Sequence, residues 1–185
     1  MKTIKNHNLT GLLLHTILLP GALMLLAGCG SITVRHVPKV AALSGAKMSD
    51  LHGSKPIDVK SGQASSEETS FGAVGMGKVV GRLSEWTEAA VGAVRNNLSA
   101  RGATITPGAP KALTITMTKA EVTAIPLVGV TKSKIVLTAA TTDGLNSAFE
   151  GSSSSIAPLG AVDGAVADAI KKLLGDSAID TYLRK

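Results

Sequence analysis

Residues 111–155 alternate apolar and polar side chains with one interruption, and no other feature constrains the fold of this chain as tightly. Leu113, Ile115 and Met117 alternate with Thr114, Thr116 and Thr118, the period of two that lines one face of a strand. Beyond Lys119 the apolar phase moves to Ala120, Val122 and Ala124, which predicts a β-bulge or a change of face. Residues 126–129 read as a turn, and residues 134–142 as a second strand with Ile135, Leu137 and Ala139 on one side. Asp143-Gly144 is a hairpin signal, and residues 145–155 form the returning strand. The result is a three-stranded antiparallel meander with one face to bury.

Two amphipathic helices are available to cover that face. Leu83, Ala90, Val91, Val94 and Leu98 recur at helical spacing, with Ser84 placed as N-cap, Glu85 and Glu88 near the positive helix end, and Gly102 after Arg101 as the stop. Leu159, Val162, Val166, Ile170, Leu173 and Leu174 make a second stripe, with Asp168 and Lys172 paired across one turn on its wet side. Gly175 breaks that helix, Asp176 or Ser177 recaps, and a short helix ends at Tyr182-Leu183. Ile57-Asp58-Val59 reads as the first strand of the domain. Residues 61–81, rich in Gly and Ser and carrying Glu67 and Glu68, read as a long flexible loop. These elements predict a two-layer α+β domain over residues 56–185, its antiparallel sheet a meander plus one or two N-terminal strands, under two main helices. Aromatic residues are only 2% of the chain, so the core must rest on Val, Ile, Leu and Ala.

The N-terminus does different work. Lys2 and Lys5 precede an apolar stretch from Leu12 to Leu26, which is followed by Leu26-Ala27-Gly28-Cys29. A positive flank, a short apolar segment and small residues before a cut site are the parts of a secretory signal. Leu26-Ala27-Gly28-Cys29 resembles the lipobox of bacterial lipoproteins. The resemblance implies acylation of the Cys29 thiol and cleavage between Gly28 and Cys29, with residues 1–28 as signal peptide. Two or three acyl chains anchor a protein stably where one does not. Cleavage removes two cations and no acid, so the formal charge of +6 becomes +4. That excess is scattered, and nucleic acid is not an expected partner. Cys29 is the one cysteine, which rules out disulfides and thiolate metal sites within the chain. Gly30, not Asp, follows Cys29, and the resemblance then implies delivery to the outer membrane, facing the periplasm. Residues 29–55 read as a lipidated tether with one edge strand.

A helix closes in Leu98-Ser99-Ala100-Arg101-Gly102 and is followed by a Thr/Ile-rich strand, and a second strand opens near Thr131-Lys132-Ser133-Lys134. A hairpin turns at Asp143-Gly144, and the chain finishes with Ile179-Asp180-Thr181-Tyr182-Leu183. This order of elements, over roughly residues 83–185, resembles the YajG family of Gram-negative lipoproteins. Residues 32–81 depart from that pattern. More broadly, the chain is similar to auxiliary lipoproteins of envelope transport systems. The likeness implies fold and compartment and assigns no catalytic residue.

Three partial motifs invite chemistry and fail on context. Residues 72–79 approach G-x-x-x-x-G-K-[ST], but Val79 lacks the hydroxyl that would hold Mg²⁺ and no buried strand precedes the loop, so nucleotide is not expected. Ser44-Gly45-Ala46-Lys47 and Lys60-Ser61-Gly62 imitate penicillin-binding motifs but stand too close together to be spread across a domain. His36 and His52, with Asp50, are too few for a zinc site and read as linker or surface groups. Glu85, Glu88 and Glu121 are carboxylates with nothing to set two of them across a cleft. No catalytic residue, metal or cofactor is expected. The function expected is a non-enzymatic, membrane-anchored binding or assembly module with an envelope protein partner. The alternative is an accessory in lipid or small-ligand transport, with an apolar groove between the helices and the sheet where Ala89, Ala90, Gly92, Ala93, Ala165, Ala167 and Ala169 leave room.

Overall fold

The computed structural model describes residues 32–40, 43, 49–74 and 77–185. Leu26-Ala27-Gly28-Cys29, the signal segment, Gly30 and residues 44–47 lie outside them. The chain divides into two units, Met1–Ile32 and Thr33–Lys185; the second holds the fold described below.

Among the described residues there are seven strands in one sheet and three helices. They run β1 (Ile32–Arg35), β2 (Ile57–Ser61), β3 (Thr69–Val74), β4 (Gly77–Gly81), α1 (Leu83–Ser99), β5 (Lys111–Ile125), β6 (Val130–Thr141), β7 (Asn146–Ser155), α2 (Pro158–Leu174) and α3 (Ser177–Arg184). The sheet order is β1-β4-β3-β5-β6-β7, with β2 also on β5. Both helices of the cover lie on the same layer, α1 over β2 and β5, α2 over β6 and β7. The two-layer α+β architecture read from the sequence is the one observed.

The meander forms as its pattern dictates. Leu113, Ile115, Met117, Ile135, Leu137 and Ala139 are all buried. The register of β5 on β6 shifts between Met117 and Lys119, where the apolar phase changes. A bulge strands a backbone donor, and here Met117 N–H donates to Thr87 Oγ1 of α1 at 3.2 Å. Thr87 is itself fully buried and donates to Leu83 O at 2.8 Å.

Three expectations need correction. First, the sheet is mixed: β2 pairs parallel to β5 at Ile57↔Lys111 through Ser61↔Ile115, and β3 does so at Gly72↔Val122 and Ala73↔Thr123. Parallel neighbours need a crossover, and α1 supplies it. Four strands, not one or two, precede α1. Second, Thr69–Val74 and Gly77–Gly81 are a strand pair, not a flexible loop. Phe71 and Val79 are buried, and Phe71 packs on Trp86 with ring centroids 4.2 Å apart. Gly72 is required where β3 lies against β5: a Cβ there would meet Val122 O at 1.8 Å, and its φ is +147°. Third, Ser84 does not cap α1. Arg82 holds the N-cap position without a side-chain bond, and Ser66 from the preceding loop accepts from Ser84 N–H at 3.1 Å.

The stretch read as a tether is partly built into the domain. Leu51 is in the core at 2% exposure. Trp86 Nε1 donates to His36 O at 2.7 Å, and His36 Nε2 lies 2.7 Å from Asp163 Oδ1 of α2. His36 N–H also donates to Val80 O at 3.3 Å. A four-residue strand ending opposite Val80 can line Gly77–Val80 only by running parallel to β4, so Thr33 lies toward the Gly77 end.

Candidate functional site

The two ends of the sheet differ in chemistry. At one end β5 turns into β6 through a 3₁₀ turn, Pro126–Val128, closed by Gly129 at φ +63°. Hairpin tips normally take Gly, Asn, Asp or Ser, yet this one presents Leu127, 99% exposed, and Val128, 62% exposed. Ile156, 82% exposed, leaves β7 at the same end, one residue past the Thr131↔Ser155 pair. Behind the tip an apolar notch of about 510 Å³ opens among Val74, Ala124, Ile125, Val130, Thr131 and Pro158.

The charge at this end has one sign. Residues 72–80, 122–133 and 151–162 contain no Asp or Glu and two cations, Lys78 and Lys132. Both are exposed and stand on one rung of the sheet, through Lys78↔Ala73, Ala73↔Thr123 and Thr123↔Lys132. The nearest carboxylate along β5 and β6 is Glu121, bound to Lys119 at 2.8 Å.

The opposite end is closed by polar contacts from the C-terminus. Tyr182 OH donates to Ala112 O at 2.9 Å, and Lys111 Nζ donates to Leu183 O at 2.7 Å. Burial holds the Lys111 ammonium below its usual pKa, with Lys55 and Lys185 adding to the effect against Asp143. A second hollow of about 360 Å³ lies there, edged by Asp143, Leu145, Ser177 and Thr181. Asp176 caps α3, accepting from Ala178 and Ile179 N–H at 3.0 Å each.

The groove expected between helices and sheet is filled where it was sought. Ala90, Ala161, Ala165 and Ala169 have no exposed surface. A Cβ on Gly151 of β7 would meet Ala165 O at 2.0 Å and Ala169 N at 2.4 Å. The small residues bring α2 and β7 into close contact, and the open apolar space lies at the sheet end instead.

The side chains singled out by chemistry are dispersed. Residues 72–74 and 77–79 lie on the β3–β4 pair, so this backbone is paired within the sheet rather than shaped as a phosphate cradle. Lys60-Ser61-Gly62 ends β2, Gly62 N–H donating to Ile115 O at 2.8 Å. His36, read as a linker group, is a buried clamp between the N-terminal segment and α2, its side chain 9% exposed. His52 is exposed, and its N–H donates to Asp50 Oδ1 at 3.0 Å. Glu85 pairs with Arg35 at 2.6 Å. Among the described residues no group of three or more His, Cys, Asp or Glu is placed to hold a metal, and no helix is long and apolar enough to cross a membrane. Leu127, Val128 and Ile156 were missed as a surface because residues 126–129 read only as a turn. Two large apolar residues in a hairpin tip, inside a stretch free of carboxylates, were the available signal.

No family model and no curated protein matches the chain. Among solved structures it is similar to the crystal structure of protein XCC0632 from Xanthomonas campestris, described under the family model DUF330. The TM-score is 0.54 at 13% identity, over 80% of this chain and 96% of that one. At this identity the likeness is one of fold, and it extends over nearly the whole of the neighbour.

Proposed function

We propose that the protein is a membrane-anchored lipoprotein of the cell envelope, acylated at Cys29 and facing the periplasm, that acts as a non-enzymatic binding or assembly module. The YajG-like order of elements and the fold shared with the DUF330 protein from a Gram-negative bacterium support the reading, as does the lipobox-like Leu26-Ala27-Gly28-Cys29. The single observation that carries a binding role is the apolar end of the domain. Leu127, Val128 and Ile156 are exposed beside an apolar notch, and an exposed apolar patch of this kind marks a contact surface. With Gly30 after Cys29, the outer membrane is the compartment proposed. Crosslinking in whole cells followed by purification from detergent-solubilised membranes tests the role. A defined crosslinked partner supports it, and recovery of monomer alone counts against it.

The notch favours one second reading, an accessory to lipid or small-ligand transport. About 510 Å³ with a mostly apolar lining is within the range of ligand pockets. Native mass spectrometry separates the readings: co-released lipid supports a carrier, and a clean apo mass removes it.

A further inference from the structure

We infer that the apolar end of the domain is a second membrane contact. Leu127, Val128 and Ile156 enter the headgroup region of the bilayer that holds the anchor, and Lys78 and Lys132 sit against its anionic phosphates. The inference rests on the anchored reading above and names the partner of the surface found there.

Three observations point to a bilayer. The first is where the chain enters the domain. β1 runs parallel to β4 with Thr33 toward Gly77, and Val74↔Gly77 closes the same end of the sheet as Ala124↔Thr131. Only three residues separate Cys29 from Thr33, and the four peptide steps reach at most about 14 Å. Strands lie roughly 4.8 Å apart, so β5 is about 14 Å from β1, three steps across the sheet. A twist of about 20° per step fans these ends without reversing them. The far end of the 15-residue β5 lies about 45 Å off at roughly 3.3 Å per residue. A tether this short brings the Leu127 end to the membrane and leaves the Lys111–Tyr182 end in solvent.

The second observation is the layering. An uncharged apolar tip is followed one rung later by Lys78 and Lys132, and the nearest strand carboxylate is already paired with a lysine. Apolar side chains at the acyl boundary with lysines reaching the headgroups is the arrangement of interfacial segments. The third is size. Three projecting side chains suffice to orient a domain already held by its lipid, with no large interface required.

The test uses the lipidated full-length protein in phosphatidylethanolamine–phosphatidylglycerol vesicles. Cys29 is the only cysteine and is acylated, so an introduced thiol is the sole labelling site. An environment-sensitive fluorophore is placed on Leu127→Cys and, at the other end of β7, on Asn146→Cys. Doxyl lipids are expected to quench the label at 127 and leave that at 146 unchanged. Lys78→Glu with Lys132→Glu is expected to lower the docked-to-free ratio about tenfold or more, because each cation near an anionic surface contributes about 1 kcal/mol. Equal, weak quenching at both positions in vesicle-bound protein overturns the inference and leaves the anchor standing. A blue shift at 127 that grows with protein density without lipid quenching overturns it in favour of self-association. Protein that neither carries acyl mass nor floats with vesicles overturns the anchor and this contact together.

Discussion

Gly151 sets how closely α2 lies on β7, and replacing it with alanine measures that contact. The added Cβ would sit 2.0 Å from Ala165 O and 2.4 Å from Ala169 N, and neither is the end of a flexible side chain. Restoring an ordinary contact of about 3.4 Å requires α2 to lift by more than 1 Å. A gap of that size forfeits up to half of each dispersion contact along the interface, where Val162, Val166 and Ile170 are fully buried. Overpacking costs about 1–3 kcal/mol, and more where backbone must move, so Gly151→Ala is placed at about 3 kcal/mol. For a domain of this size each kcal/mol moves Tm by roughly 2–4 °C, which gives a fall of about 6–12 °C. The assay is thermal unfolding of the detergent-purified protein followed by circular dichroism. Gly92→Ala in α1 is the control: beyond the adjoining backbone of its own helix nothing lies within 4 Å of its Cβ, and alanine for glycine inside a helix gains up to about 1 kcal/mol, so its Tm should rise. A Gly151→Ala variant that melts with the parent would refute the close packing and revive a groove under α2.

Thr87→Val keeps the volume but leaves the Met117 amide at the bulge without its acceptor. A cost of about 1–3 kcal/mol in urea unfolding is expected for a buried donor left unpaired. His36→Ala removes the bond to Asp163, and hydrogen exchange should speed up at residues 36–40 while the meander stays protected. For Asp168, burial raises the pKa, but the Ser152 amide and the Lys172 ammonium outweigh it and hold the carboxyl below 3.8. A depressed carboxyl contributes stability above its unfolded pKa and loses it as pH falls through the folded value. Urea midpoints of Asp168→Asn should therefore trail the parent at pH 7 and converge with it as the pH falls through the depressed folded value. A gap that persists there would show that packing, not ionisation, is the cause.

The meander and both helical stripes were readable because their information is local. The period of residues 113–117, its shift past Lys119, and Asp143-Gly144 each specify geometry within a few residues. The β3–β4 pair was not, since Phe71 and Val79 are isolated among glycines and serines, and β3 pairs with β5 through Gly72 and Val122, which are far apart in the chain. The parallel pairing of β2 and β3 to β5 is likewise a property of the crossover rather than of either strand. His36 read as a linker group because its partner, Asp163, is 127 positions away. The apolar surface stayed hidden because a turn signal says where the chain reverses, not what the reversal exposes. Cys29 stands apart: its proposed role is drawn from sequence, outside the described residues, and the proposed compartment and topology both rest on it.

Intact-mass analysis of the protein purified from membranes of cells fed labelled palmitate tests that role directly. Acylation at Cys29 predicts a chain starting at that residue, heavier by two or three acyl groups, with label and membrane association both lost in Cys29→Ser. An unlabelled protein, or a mature chain starting at any other residue, would contradict it.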